Sequence, residues 1–240
     1  MEKAFAILFD YAKRLRSRYL NTLAAFKIFE RFSRLSAINI VGKRKAEKNT
    51  KIFNSYRYFF AITKESAKCY FLIELAKFFD NCGESLTVYS VISYAEKNVA
   101  KLTKQDFLNF HRDRQILPEL FARYKQLSLS DLKKIKDRIK RNEHLIKNLK
   151  IYRDKYLAHD DIIKKQVGIN NKEIKVLFNI VKSVIALLYN KLDFSVISYV
   201  NFEKEPIEDL NRLMENLIKC EQLRLDEIRK KWLKKNMEIK

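Results

Sequence analysis

Residues Ser130–Asp161 read SDLKKIKDRIKRNEHLIKNLKIYRDKYLAHDD, and this run decides the fold class. Leu132, Ile135, Ile139, Asn142, Ile146, Leu149, Arg153 and Tyr156 recur at alternating steps of three and four, the spacing of one packed helix face. Ser130 is the expected N-cap, and the stripe predicts a single helix over 131–158. Two positions on it are not apolar. Asn142 is read as a residue that sets register. Arg153 stands where an apolar side chain is due. A guanidinium buried without a counter-charge is costly, so it has to face an acid, a partner chain or a substrate phosphate. The stripe itself has two uses open to it, the core of its own chain or a seam between two copies.

Helical spacing continues on both sides. Leu8, Tyr11, Leu15, Tyr19, Leu23 and Phe26 mark a first helix, and Phe53, Tyr56, Phe60, Ala67, Phe71 and Phe78 a second, ended by Asn81 and Gly83. A short helix is expected over about 86–98. Another follows near 106–125, interrupted by Pro118. Asn171 is the expected cap of a helix carrying Ile174, Leu177, Val181, Val184, Leu188 and Leu192. Pro206 is expected to open a terminal helix with Leu210, Leu213, Leu217, Leu225, Ile228 and Trp232. Only three Gly and two Pro occur, which is too little turn chemistry for a sheet protein or a phosphate-cradling loop. Gly42, Gly83 and Gly168 fall instead where helices should end.

The end of the opening run carries chemistry. Tyr152-Arg153-Asp154-Lys155-Tyr156-Leu157-Ala158-His159-Asp160-Asp161 places a cation, an acid and an imidazole within a turn or two of a helix end. Metal-free RNA cleavage needs a cation to neutralise a phosphate and an imidazole to move protons. Spacing alone is not diagnostic, because Arg138 and His144 repeat it. What differs is the next residue, apolar Ile139 after Arg138 but Asp154 after Arg153. The longer string, Arg-Asp-Lys, two residues, Ala-His, one residue, Asp, resembles the abortive-infection branch of the HEPN-domain proteins. Many members of that family are ribonuclease toxins or phage-defence factors. An aromatic helix ending in Phe79-Asp80 extends the resemblance over roughly residues 50–192.

The resemblance implies an all-α fold, an antiparallel helical bundle of HEPN type with additional N- and C-terminal helices. The bundle would occupy 1–204, with its core at about 50–192, and a basic C-terminal helix 205–240. It implies a metal-independent endoribonuclease without cofactor, in which the RNA's own 2′-hydroxyl attacks the phosphorus. His159 would be general acid or base, Arg153 would stabilise the transition-state charge, and Asp154 would orient Arg153 or a partner's imidazole. Lys155 and Tyr156 are the substrate-binding candidates, for phosphate contact and base stacking. The implied partners are RNA (tRNA and mRNA both open), a second copy of the chain whose motif lines a shared cleft, and an antitoxin or other defence-system partner.

Blander readings stand beside these. On these, Arg153 is a structural ion pair with Asp154 or another acid, His159 a polar helix terminator, and Tyr152 and Tyr156 core or dimer packing. Asp80, at the end of an aromatic helix, is a candidate to support the site, but a solvated helix end is the preferred reading, and His111 is read as part of a solvated charged face. The whole chain then becomes a non-catalytic RNA- or protein-binding helical module. Geometry sharpens the choice: six residues of regular α-helix turn a side chain by about 240°, so Arg153 and His159 would not share a face. Either the helix loosens before His159 or the two groups meet across a cleft. Asp160 and Asp161 disfavour further helix, being acids at a C-terminal end.

Composition supports a polyanion-binding protein with a buried core. Fifty Lys and Arg against 29 Asp and Glu give a formal charge of +21, spread along the chain, and 47% of residues are hydrophobic. Cys69, Cys82 and Cys220 show no metal-ligand spacing, so reduced thiols are expected. The apolar run from Ala4 to Phe9 is too short for a signal core, and Val176 to Tyr189, broken by Lys182, is too short to span a bilayer. A soluble cytoplasmic protein is expected. No zinc site, Ser or Cys triad, or nucleotide-binding loop can be assembled from the sequence.

Overall fold

The computed structural model describes residues 2–81, 85–114, 121–158 and 168–237. Every regular element among them is helical: α1 (Glu2–Phe32), α2 (Ile38–Val41), α3 (Lys43–Ser55), α4 (Arg57–Lys77), α5 (Val88–Asn98), α6 (Lys104–Phe110), α7 (Leu129–Arg141), α8 (Glu143–Tyr152), α9 (Asn171–Leu192) and α10 (Val200–Met237). The fold is all-α, as the spacing of apolar residues requires. Gly42 joins α2 to α3 at φ 80° and ψ 153°, a region that essentially only glycine occupies.

Local side-chain chemistry sets the helix ends. Thr87 with Ser90, Thr103 with Asp106, Ser128 with Asp131 and Asn170 with Glu173 form reciprocal capping boxes at the starts of α5, α6, α7 and α9. Several expected boundaries move accordingly. Ser128, not Ser130, caps α7, because its hydroxyl accepts from the amide of Asp131. The cap of α9 is Asn170 and not Asn171. The aromatic helix expected from Phe53 onward is broken at Tyr56 (φ −122°, ψ 40°), so Phe53 belongs to α3. Helix α6 stops at Phe110, well short of 125, and Pro118 lies outside the described residues. Pro206 lies inside α10, which starts six residues earlier than expected.

The largest departure is in the run that decides the fold. Asn142 adopts φ −111° and ψ 17° and divides the expected single helix into α7 and α8. Its side-chain amide donates to the carbonyl of Arg138 at 2.8 Å, a local bond that competes with the helical ladder. Asn142 therefore does more than set register.

The chain forms two compact units, Met1–Leu23 with Cys69–Tyr199, and Ala24–Lys68 with Val200–Lys240. In the first, α9 buries one broad face through Ile174, Leu177, Phe178, Ile180, Val181, Val184, Ile185, Leu188 and Leu192. It packs against α7 and α8, and α7 also packs against α5. Leu132, Ile139, Leu145, Ile146 and Leu149 are buried from the facing side. Phe5, Phe107 and Tyr124 add an aromatic end, with the Phe107 and Tyr124 rings stacked at 4.3 Å. In the second unit Phe32, Leu35, Ile52, Phe60, Leu210 and Met214 make the core, and buried Asn49 donates to the Leu35 carbonyl at 2.7 Å. Lys45 and Glu215 pair at 3.0 Å across the same unit.

Candidate functional site

Helix α8 sends Leu149 into the core at full burial, and its last turn carries Lys150 and Arg153 toward Asp80. At Arg153 the regular helix gives way to a π-helical turn, Arg153–Ala158. Turns of this kind are rare and recur at functional sites, because bonding from i to i+5 widens the backbone and re-aims side chains. The helix does loosen ahead of His159. His159, Asp160 and Asp161 themselves lie outside the described residues.

The guanidinium of Arg153 is held by two acids. Its Nε donates to Asp154 Oδ1 at 2.7 Å, and its Nη1 to Asp80 Oδ1 and Oδ2 at 3.0 and 2.8 Å. Lys150 Nζ lies 3.6 Å from Asp80 Oδ1. The Arg153 side chain is only 20% exposed. Burial pushes against its charge, but the bonds and charges of Asp154 and Asp80 outweigh that and raise its pKa. The apolar slot is thus filled by a fully compensated cation.

Asp80 is where the reading of the sequence has to be corrected. It is not a solvated helix end: its side chain is 27% exposed and grips two cations. Phe78 and Phe79 just before it are fully buried, and the Val88 amide donates to the Phe78 carbonyl at 2.8 Å. These anchors fix Asp80 opposite α8. Two signals pointed to it, an Arg that needed an acid and an aromatic helix that ended in one.

The other candidates divide. Asp154 is exposed and bonded to Arg153, and Lys155 is half-buried. Tyr156 lies within the π-turn. Arg138 bonds Ser183 Oγ from α7, while His144 is exposed on α8 beyond the Asn142 break, so the decoy pair is split between two helices. His111 is not on a solvated face. Its Nε2 lies 2.7 Å from the Leu192 carbonyl, among the rings of Phe5, Phe9, Phe107 and Phe110. Leu149, expected as a possible seam residue between copies, is spent on the core of its own chain.

Beside Asp80 opens a cavity of about 630 Å³, lined among others by Arg14, Ser17, Arg18, Glu74 and Lys77. Arg18 donates to the Leu86 carbonyl at 2.7 Å and to Glu74 at 3.3 Å, and Lys77 donates to Glu74 at 2.8 Å. Burial raises the pKa of Glu74, but the bonds and charges of Lys77 and Arg18 prevail and lower it. A carboxylate with a depressed folded pKa contributes stability above its unfolded pKa, and this is lost as pH falls through the folded value. The wild type should therefore lose melting temperature as pH falls below the ordinary carboxylate value of 4.5. Glu74→Gln should melt lower at neutral pH and lose less on acidification. Parallel melting curves against pH for the two chains would contradict this.

A π-turn ends a core-packed helix and carries the acid-clamped Arg153, six residues ahead of His159 in the sequence. The chain matches the HEPN family AbiU2 over residues 8–213, and it belongs to that family. No curated protein and no solved structure matches it. No helix of the described residues is long and apolar enough to cross a membrane.

Proposed function

We propose that the chain is a metal-independent endoribonuclease of the abortive-infection type. The supporting observation is Arg153, held in one orientation by Asp80 and Asp154 at the start of a π-turn that leads to His159. A guanidinium oriented beforehand stabilises charge on a phosphorane-like transition state without reorganising. His159 takes the proton of the 2′-hydroxyl or protonates the leaving 5′-oxygen. Asp154 and Asp80 position Arg153, and Lys155 and Tyr156 contact the flanking phosphate and base. The family supports the reading at the level of a defence-related HEPN domain.

The test is total RNA incubated with purified protein in EDTA, beside an Arg153→Ala control. Products should carry a cyclic or 3′ phosphate and a 5′-hydroxyl, because the 2′-oxygen is the nucleophile. Strict dependence on a divalent ion, or cleavage of a substrate lacking 2′-hydroxyls, would remove the mechanism.

We further propose a homodimer whose two motifs share a cleft. Since Leu149 is buried within the chain, the seam has to be formed by other residues. Mixing Arg153→Ala with His159→Ala chains should restore some activity. A fully active monomer at micromolar concentration would rule the shared site out. One observation favours a second reading, a non-catalytic RNA-binding module: two carboxylates already neutralise Arg153, as a structural ion pair would. RNA bound but left uncut in EDTA, and equally with divalent ions, would select it.

A further inference from the structure

A second depression, of about 450 Å³, adjoins the one beside Asp80. Arg14, Ser85 and Leu86 line both, and the second continues along α5 past Ser93 and Tyr94 to Lys97. We propose that the two form one groove that seats single-stranded RNA, leading it from the Asp80–Arg153 pair toward Lys97. The inference rests on the ribonuclease reading for the identity of the polyanion, while the path is drawn by the groove itself.

Each feature fits that ligand. The two volumes lie within the roughly 300–1,000 Å³ of sites that enclose a small ligand, which gives room for successive nucleotides. Arg14, 62% exposed, is held only loosely by Asp10 at 3.7 Å, so it can turn to a phosphate. Lys97 is exposed and has no ion-pair partner among the described residues. Between these cations stands Tyr94, whose ring meets Tyr11 edge-on at 5.3 Å. An aromatic ring braced in this way is a platform for an unstacked base, which only a single strand offers. Ser17 and Ser93 are exposed hydroxyls on the wall, able to bond phosphate oxygens or the 2′-hydroxyl that marks RNA. Ser90 is not available, since its hydroxyl is engaged with Thr87 in the α5 cap.

The test measures binding without cleavage. Fluorescence anisotropy with labelled single-stranded RNA is run on the His159→Ala chain, so that nothing is cut whether or not the wild type is a nuclease. Adding Arg14→Glu with Lys97→Glu should weaken binding at least about 10-fold and flatten its salt dependence by about two phosphates. Tyr94→Ala should weaken it by about 5- to 150-fold, the worth of one stacked base, and Tyr94→Phe should restore it. Lys133→Glu with Lys134→Glu, exposed on α7 and not lining the groove, should change it little. Equal losses from the groove and α7 reversals would overturn the groove, and so would duplex RNA binding as tightly. If Tyr94→Ala fails to fold, the reversals at exposed Arg14 and Lys97 decide alone. Groove-dependent binding by a wild-type chain that cuts nothing keeps this inference and defeats the ribonuclease. Cleavage whose KM ignores the groove reversals does the opposite.

Discussion

RNA cleavage should fall by about 10² to 10⁴-fold in both His159→Ala and Arg153→Ala, the usual contribution of a positioned acid–base or charge-stabilising group. The two losses have different causes. Removing the imidazole removes proton transfer. Removing the guanidinium leaves the transition-state charge uncompensated and also leaves Asp80 with Lys150 as its cation. Arg153→Lys should recover little, because an ammonium cannot reach two carboxylates and a phosphate as the planar fork does. Arg138→Ala and His144→Ala should retain activity, since one of these side chains binds Ser183 and the other is exposed on the next helix. Initial rates with one RNA, normalised to folded fraction, are the measurement. Equal losses from both pairs would show that the Arg-to-His spacing misleads.

Leu149→Ala should cost about 2–5 kcal/mol, the range for truncating a fully buried leucine. The loss should be the same at all protein concentrations, because the cavity opens within one chain. Were Leu149 the seam between copies, the substitution would weaken association itself, and the difference from wild type would change with concentration. Urea unfolding at two concentrations separates these outcomes. The substitution should lower activity as well, since Leu149 is the last buried anchor before Lys150 and Arg153.

The helical character of the chain was legible throughout, because spacings of three and four survive any arrangement of helices. So was the site's first member: a cation in an apolar slot demands a counter-charge, and Arg153 has one. Caps were harder. Ser128 and Ser130 both suit a helix start, as do Asn170 and Asn171, and only the geometry of each box chooses between them. Asn142 carried the same ambiguity, a polar residue in a seam that turns out to end a helix.

What the sequence determined by itself is the part written in local periodicity and residue chemistry: all-α structure, the need of Arg153 for a counter-charge or phosphate, and the motif's resemblance to a HEPN family. What only tertiary structure decided is whatever depends on residues far apart in the chain. Asp80, 73 residues before Arg153, becomes its second counter-ion because the chain just past α4, anchored by buried Phe78 and Phe79, is brought beside Arg153. His111, followed in the sequence by Arg112-Asp113-Arg114, sits among Phe107 and Phe110 next to it in the chain and the distant Phe5 and Phe9, with its Nε2 at the carbonyl of Leu192. The stripe carrying Leu149 closes the chain's own core because α9 offers it an apolar face to meet. Such pairings follow from which surfaces bury each other, and no spacing along one helix records its partner.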